Sequence, residues 1–147
     1  MKEFVLHKEL WLPAPLEKVF PFFALAQNLH TLTPPWLNFE ILTPHSIEMR
    51  VGTLIDYKLR IRGIPIRWQS EITAWKEPNR FVDEQRRGPY RQWIHEHLFE
   101  SRDGGTFCTD HVRYAVLGGT LVERLLVRPD IEKIFDYRAK VLLEIFK

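Results

Sequence analysis

Residues 80–100, RFVDEQRRGPYRQWIHEHLFE, decide how this chain folds. Phe81, Asp83 and Gln85 alternate with Glu84 and Arg86, Gly88-Pro89 breaks the run, and Trp93, His95, His97 and Phe99 then alternate with Glu96 and Glu100. Successive side chains of a strand point to opposite faces, so the pattern predicts two antiparallel strands joined at a tight turn. One face is charged. The other mixes aromatic rings with two histidines, an aspartate and a glutamine.

Working outward, the same period of two recurs on both sides. Upstream, Ile55, Tyr57, Leu59 and Ile61 alternate with Asp56, Lys58, Arg60 and Arg62; Gly63 and Pro65 break the run, and Trp68, Ser70 and Ile72 follow on the inner register. Downstream, Asp103-Gly104-Gly105 marks a turn into Cys108, Asp110, Val112 and Tyr114, alternating with Thr109, His111 and Arg113. With segments 2–12 and 40–50 this predicts seven strands, five of them in a meander. Apolar residues at helical spacing predict a helix over 15–24, behind a proline start, and a shorter turn over 27–32. Near the C-terminus, Thr120 and Glu123 fit a capping box, and Pro129 is expected to interrupt the helix they open. The restarted helix carries a stripe of Ile131, Ile134, Phe135, Arg138, Val141, Leu142 and Ile145 that must lie on the inner face of the sheet.

Composition narrows the function classes. At 147 residues with no linker-like stretch, one domain spanning 1–147 is expected. The 21 basic and 19 acidic residues leave a net charge of only +2, which gives no reason to expect a nucleic-acid partner. Glu3, His7, Lys8 and Glu9 interrupt the region where an export signal would be apolar, and no run approaches the roughly 20 apolar residues of a membrane span. With a single cysteine, Cys108, a cytoplasmic location and no stable membrane insertion are the expectations. Five Trp and ten Phe exceed what a core of this size requires, which fits an aromatic-lined pocket or dense packing.

The stretches LPAPLEKVFPFFALAQNLHTLTPPWL, PIRWQSEITAW, RFVDEQRRGPYRQWIHEHLFE and IFDYRAKVLL resemble the SRPBCC superfamily, in its START-like, polyketide-cyclase-like and coenzyme-Q-binding groups. The resemblance spans nearly the whole chain. It implies an α+β helix-grip fold: a seven-stranded antiparallel sheet wrapped around a long C-terminal helix, with two short helices between strands one and two. It also implies a small hydrophobic partner, aromatic or isoprenoid- or lipid-like, held in an internal cavity. No single reaction follows, because one fold hosts many functions.

The candidate site is the polar part of the inner face. Ser70, Asp83, Gln85, His95, His97 and Asp110 fall on the inward register with the hydroxyls of Tyr57 and Tyr114, beside Trp68, Trp93 and Phe99 and opposite Arg138. Three uses compete: a hydrogen-bonded network in which Arg138 pairs with Asp83 or Asp110, recognition of a ligand in an apolar pocket, and acid–base catalysis of a cyclase or dehydratase type by His95, His97 and Asp83. A two-histidine, one-carboxylate metal shell has suitable ligand types, yet such spacing arises on any inward strand, so neither a metal nor another cofactor is expected. Trp36, in an extended 33–37 segment, and Tyr90, at the hairpin, are the candidate gates. Lys58, Arg60, Arg62, Arg67, Arg86, Arg87 and Arg91 are expected to form a solvated basic face.

Overall fold

The computed structural model describes residues 1–44 and 46–147. Seven antiparallel strands form one sheet: β1 (Phe4–Leu12), β2 (Glu40–Ile41), β3 (Leu54–Ile61), β4 (Ile64–Lys76), β5 (Arg80–Arg87), β6 (Gln92–Arg102) and β7 (Gly105–Ala115), in the spatial order β1-β7-β6-β5-β4-β3-β2. Two short helices, α1 (Leu16–Phe23) and α2 (Asn28–Leu32), separate the first two strands, and the long α4 (Arg128–Ile145) closes the chain. This is the helix-grip architecture. Its core is three clusters strung along α4: Val19, Phe20 and Phe23 with Phe81, Phe99 and Leu142; Leu6, Val112 and Tyr114 with Ile131 and Phe135; and Leu37 and Leu59 with Trp68. Cys108 lies in the first, where burial pushes its thiol up to about 12.

Several local expectations change. The strand expected over 40–50 is reduced to Glu40–Ile41, because Leu42 and Thr43 both donate to the Asp56 carbonyl, Pro44 has no N–H, and Ser46 adopts a positive φ of 70°; position 45 lies outside the described residues. The segment 33–37 is extended only at Thr33 and Pro34, since Pro35–Leu37 closes into a single 3₁₀ turn. At the other end of the sheet Gly118, left-handed at φ 90°, opens α3 (Gly119–Val122) with no side-chain cap. Thr120 is therefore inside the helix rather than capping it, and its hydroxyl accepts from Lys2. Pro129 does not interrupt the helix. A π turn over Glu123–Val127 joins α3 to α4, and the proline follows directly after it, in the first turn of α4. Ile145, placed on the buried stripe by its spacing, is exposed; the neighbouring Phe146 packs instead, 5.5 Å from the ring of Phe22.

Glu123, released from capping, has another task. Its buried carboxylate accepts from the Tyr114 hydroxyl and, at 3.0 Å, from Arg128, tying β7 to the start of the C-terminal helix. Tyr114 is fully buried, so Glu123→Ala strands its hydroxyl. A loss of about 1–3 kcal/mol in unfolding free energy is expected from urea denaturation. An unchanged midpoint would mean that the joint carries no weight.

Candidate functional site

The inner faces of β5, β6 and β7 carry the polar cluster side by side. Register sets Asp83 directly opposite His95, and His97 directly opposite Asp110. The hydrogen bonds nevertheless run diagonally: His97 Nε2 to Asp83 at 2.7 Å, and His95 Nε2 to Asp110 at 2.7 Å. Diagonal neighbours are within reach of long side chains, and the crossing lets the two imidazoles stack, with centroids 3.6 Å apart and planes 23° from parallel. Phe81 stacks on the far side of His97 at 4.0 Å. The result is a column of three rings with a carboxylate on either flank.

Arg138 reaches this column from α4, with one Nη 3.4 Å from Asp110 and 3.5 Å from His97 Nδ1. The expected ion pair is thus with Asp110. An acceptor contact at His97 Nδ1 assigns the proton of the neutral ring to Nε2, where it is donated to Asp83. Burial drives His97 down to about 4, reinforced by the neighbouring His95 and only partly offset by Asp83 and Asp110. Burial alone would raise both aspartates. For Asp83, the hydrogen bond from His97 and the charges of His95, His97 and Arg138 more than reverse it; for Asp110, the Arg138 guanidinium and the His95 hydrogen bond do so, and both stay below the ordinary carboxylate range. One ligand atom from each of Asp83, His95 and His97 also lies within 4.8 Å of the others, close enough to share a cation, although the Nε2 atoms of both histidines are committed to the aspartates.

In front of the cluster lies a cavity of about 190 Å³. Asp83, His95, His97 and Arg138 form its polar corner; Tyr57, Trp68, Trp93 and Tyr90 form an aromatic wall in which Tyr57 stacks on Trp68 at 5.8 Å. Ser70 also lines it, accepting from Trp68 Nε1 at 3.0 Å and sharing a 3.2 Å hydrogen bond with Tyr57, whose hydroxyl burial and the Asp83 charge push far above its usual range.

Other candidates stand apart from the cavity. Gln85 clamps the β5–β6 turn through both backbone polar groups of Tyr90, and a Cβ on Gly88 would sit 2.4 Å from its Oε1, so a larger residue there would push the clamp aside. Phe99 is packed between Phe20 and Phe23, Tyr114 serves Glu123, and Asp110 stands behind His95 as its acceptor. Trp36 is exposed, edge-on to Tyr137, and lines an outer groove instead of the cavity. The basic face is interspersed with acids, including Glu40 at Lys58 and Glu71 at Arg86. Strand alternation missed the remaining walls, among them Leu29 and Leu32 of α2 and Phe39 and Met49 in the loops. The three-residue spacing of Leu29 and Leu32 is the signal that could have marked an apolar side of α2, and nothing in the sequence set Phe39 or Met49 apart.

The family model described as polyketide cyclase / dehydrase and lipid transport matches residues 12–139. The chain belongs to this family. No curated protein matches it by sequence. Among solved structures, protein Ms6760 from Mycobacterium smegmatis is 18% identical, with a TM-score of 0.70 over 96% of this chain and 89% of that one. Ginseng major latex-like protein 151 from Panax ginseng is 11% identical, with a TM-score of 0.72 over 98% and 97%. A point mutant of norcoclaurine synthase from Thalictrum, in complex with a transition-state analogue, is 17% identical, with a TM-score of 0.69 over 99% and 98%. At these identities the structures share the fold of the family member described here, and no more. No helix among the described residues is long and apolar enough to cross a membrane.

Proposed function

We propose that this family member binds one compact, largely apolar molecule of one or two rings in the cavity between the sheet and α4, and releases it unchanged. The observation that carries this reading is the buried Nε–H of Arg138, which has no acceptor among the described residues while its side chain borders an aromatic cavity. A buried donor left unpaired is costly, and a ligand carbonyl or hydroxyl oxygen placed there removes the penalty. Size supports a small occupant. An apolar cavity of roughly 150 Å³ holds benzene, so about 190 Å³ suits a substituted aromatic or a short isoprenoid unit better than an extended lipid chain.

Acetophenone and ethylbenzene, which differ in a carbonyl acceptor, provide the test. Calorimetric titration is expected to show acetophenone binding about tenfold or more tightly, since a hydrogen bond to a charged group contributes about 1.5–3 kcal/mol. Arg138→Met should erase the preference. Equal binding of the two by the unaltered protein, or binding of neither, would sink the reading. The two Asp–His pairs favour a second reading, proton transfer in a cyclase or dehydratase type of reaction, because a carboxylate that orients an imidazole is the arrangement of a general base. Under that reading His97→Gln leaves acetophenone binding intact and abolishes turnover; under the first, no turnover exists to lose.

A further inference from the structure

Beside the cavity, the end of the molecule formed by the β3–β4 turn, α3 and the π turn exposes an unusual amount of apolar surface. Leu117, Leu121 and Leu125 are 62%, 68% and 60% exposed, and Trp36, Ile64 and Leu126 are exposed with them. Of these, Trp36, Leu117 and Leu126 line a groove of about 670 Å³ together with Gly63 and Val122, among others, and Ile64, Leu121 and Leu125 are chain neighbours of its lining residues. Leu37, Ile61, Tyr90, Ile131 and Ile134 border both this groove and the cavity, so the groove lies at the cavity's threshold. Contiguous apolar surface of this kind on a soluble domain marks an interaction site.

Charge identifies the occupant. Asp130, the acidic residue lining the groove, is neutralised by both arms of Arg62 at 3.1 Å, and Arg128 is matched by Glu123 and Glu132. Arg124 and Lys133, both exposed, have no carboxylate within 4.0 Å among the described residues, and Lys2 reaches Thr120 on the same side. The patch is therefore apolar with an unbalanced basic rim. In a two-fold pairing of this chain with itself, the same patch would meet itself and bring like charges together. An anionic surface that also accepts hydrocarbon side chains suits both features.

We propose that this end docks reversibly on anionic lipid bilayers, with Leu117, Leu121 and Leu125 dipping below the headgroups and Arg124 and Lys133 resting on them. Docking turns the threshold of the cavity toward the hydrocarbon, giving an apolar ligand a route that avoids water; that route rests on the ligand-binding reading above, whereas docking itself does not.

The test is co-sedimentation of the intact protein with vesicles of phosphatidylcholine alone and of equal parts phosphatidylcholine and phosphatidylglycerol. Binding to the anionic vesicles, weakened by high salt, is expected. Each basic residue at such a surface contributes about fivefold, so Arg124→Glu with Lys133→Glu should weaken binding by well over tenfold. Leu121→Glu with Leu125→Glu should abolish it. These side chains are exposed, so thermal melts and acetophenone titrations of the variants should match the parent, which separates loss of docking from loss of the pocket. Failure of the parent to sediment with anionic vesicles, or unchanged binding by both double variants, overturns the proposal. So does a parent dimer in analytical ultracentrifugation that the leucine substitutions dissolve, because the patch would then belong to a second copy.

Discussion

Asp110→Ala is expected to destabilise the protein by about 3–5 kcal/mol, the range found when one partner of a buried ionic arrangement is removed. Asp110 accepts from His95 at 2.7 Å and stands 3.4 Å from Arg138. Without it, His95 loses its acceptor, and a guanidinium whose Nε is already unpaired keeps His97 Nδ1 as its one hydrogen-bond partner among the described residues. Arg138→Met is expected to cost less than half as much. It removes the charge together with the unpaired donor, the methionine places an apolar side chain beside the rings of Phe23 and Phe135, which the guanidinium carbon approaches at 5.4 and 5.8 Å, and Asp110 retains the hydrogen bond from His95. Urea denaturation of the two variants and of the double variant at neutral pH decides the matter, and a double variant that loses the sum of the two single losses would contradict the pairing of Arg138 with Asp110.

Acidification gives the second large effect. An unfolded histidine takes up a proton near pH 6.5, but His97 in the folded protein resists protonation until about pH 4. Between these values the unfolded chain binds more protons, so stability is complete above pH 6.5 and is lost as the pH falls toward 4. At about 1.4 kcal/mol per pH unit, the loss attributable to His97 is about 3 kcal/mol across that window. Asp83 and Asp110 act in the same direction lower down: their folded values are depressed, so the stability they contribute is present above the ordinary carboxylate range and disappears below it. Urea midpoints measured at pH 7, 6, 5 and 4.5 should fall steadily, and His97→Gln should flatten the trend. A constant midpoint in the parent protein would show that His97 titrates normally.

Much of this was legible along the chain. Alternation in β3 to β7 identified which residues face inward, because a strand has only two faces and one of them must be buried. The amphipathic stripe of α4 required a sheet to lie on, and the two together determined the architecture. Local signals failed where a residue had two possible uses. Thr120 and Glu123 have the spacing of a capping box, yet a left-handed Gly118 starts the helix and Glu123 turns to a buried tyrosine nine residues upstream. The 40–50 segment has apolar residues enough for a strand, but among the described residues its ladder with β3 ends at Ile41, where Leu42 and Thr43 converge on one carbonyl.

By itself, the sequence determined the strand faces, the order of elements and the presence of an inward polar group on β4 to β7, all of which depend on periods of two and 3.6 that need no knowledge of neighbours. The partners within that group were decided only by tertiary structure. Register alone would join Asp83 to His95 and His97 to Asp110; stacking of the two imidazoles, and the approach of Arg138 from a helix 28 residues beyond Asp110, turn both bonds onto the diagonal. The same approach leaves one buried N–H of Arg138 without an acceptor among the described residues, on a side chain that borders the cavity. No pattern along the chain encodes that unpaired donor, because it depends on where a helix comes to rest on a sheet.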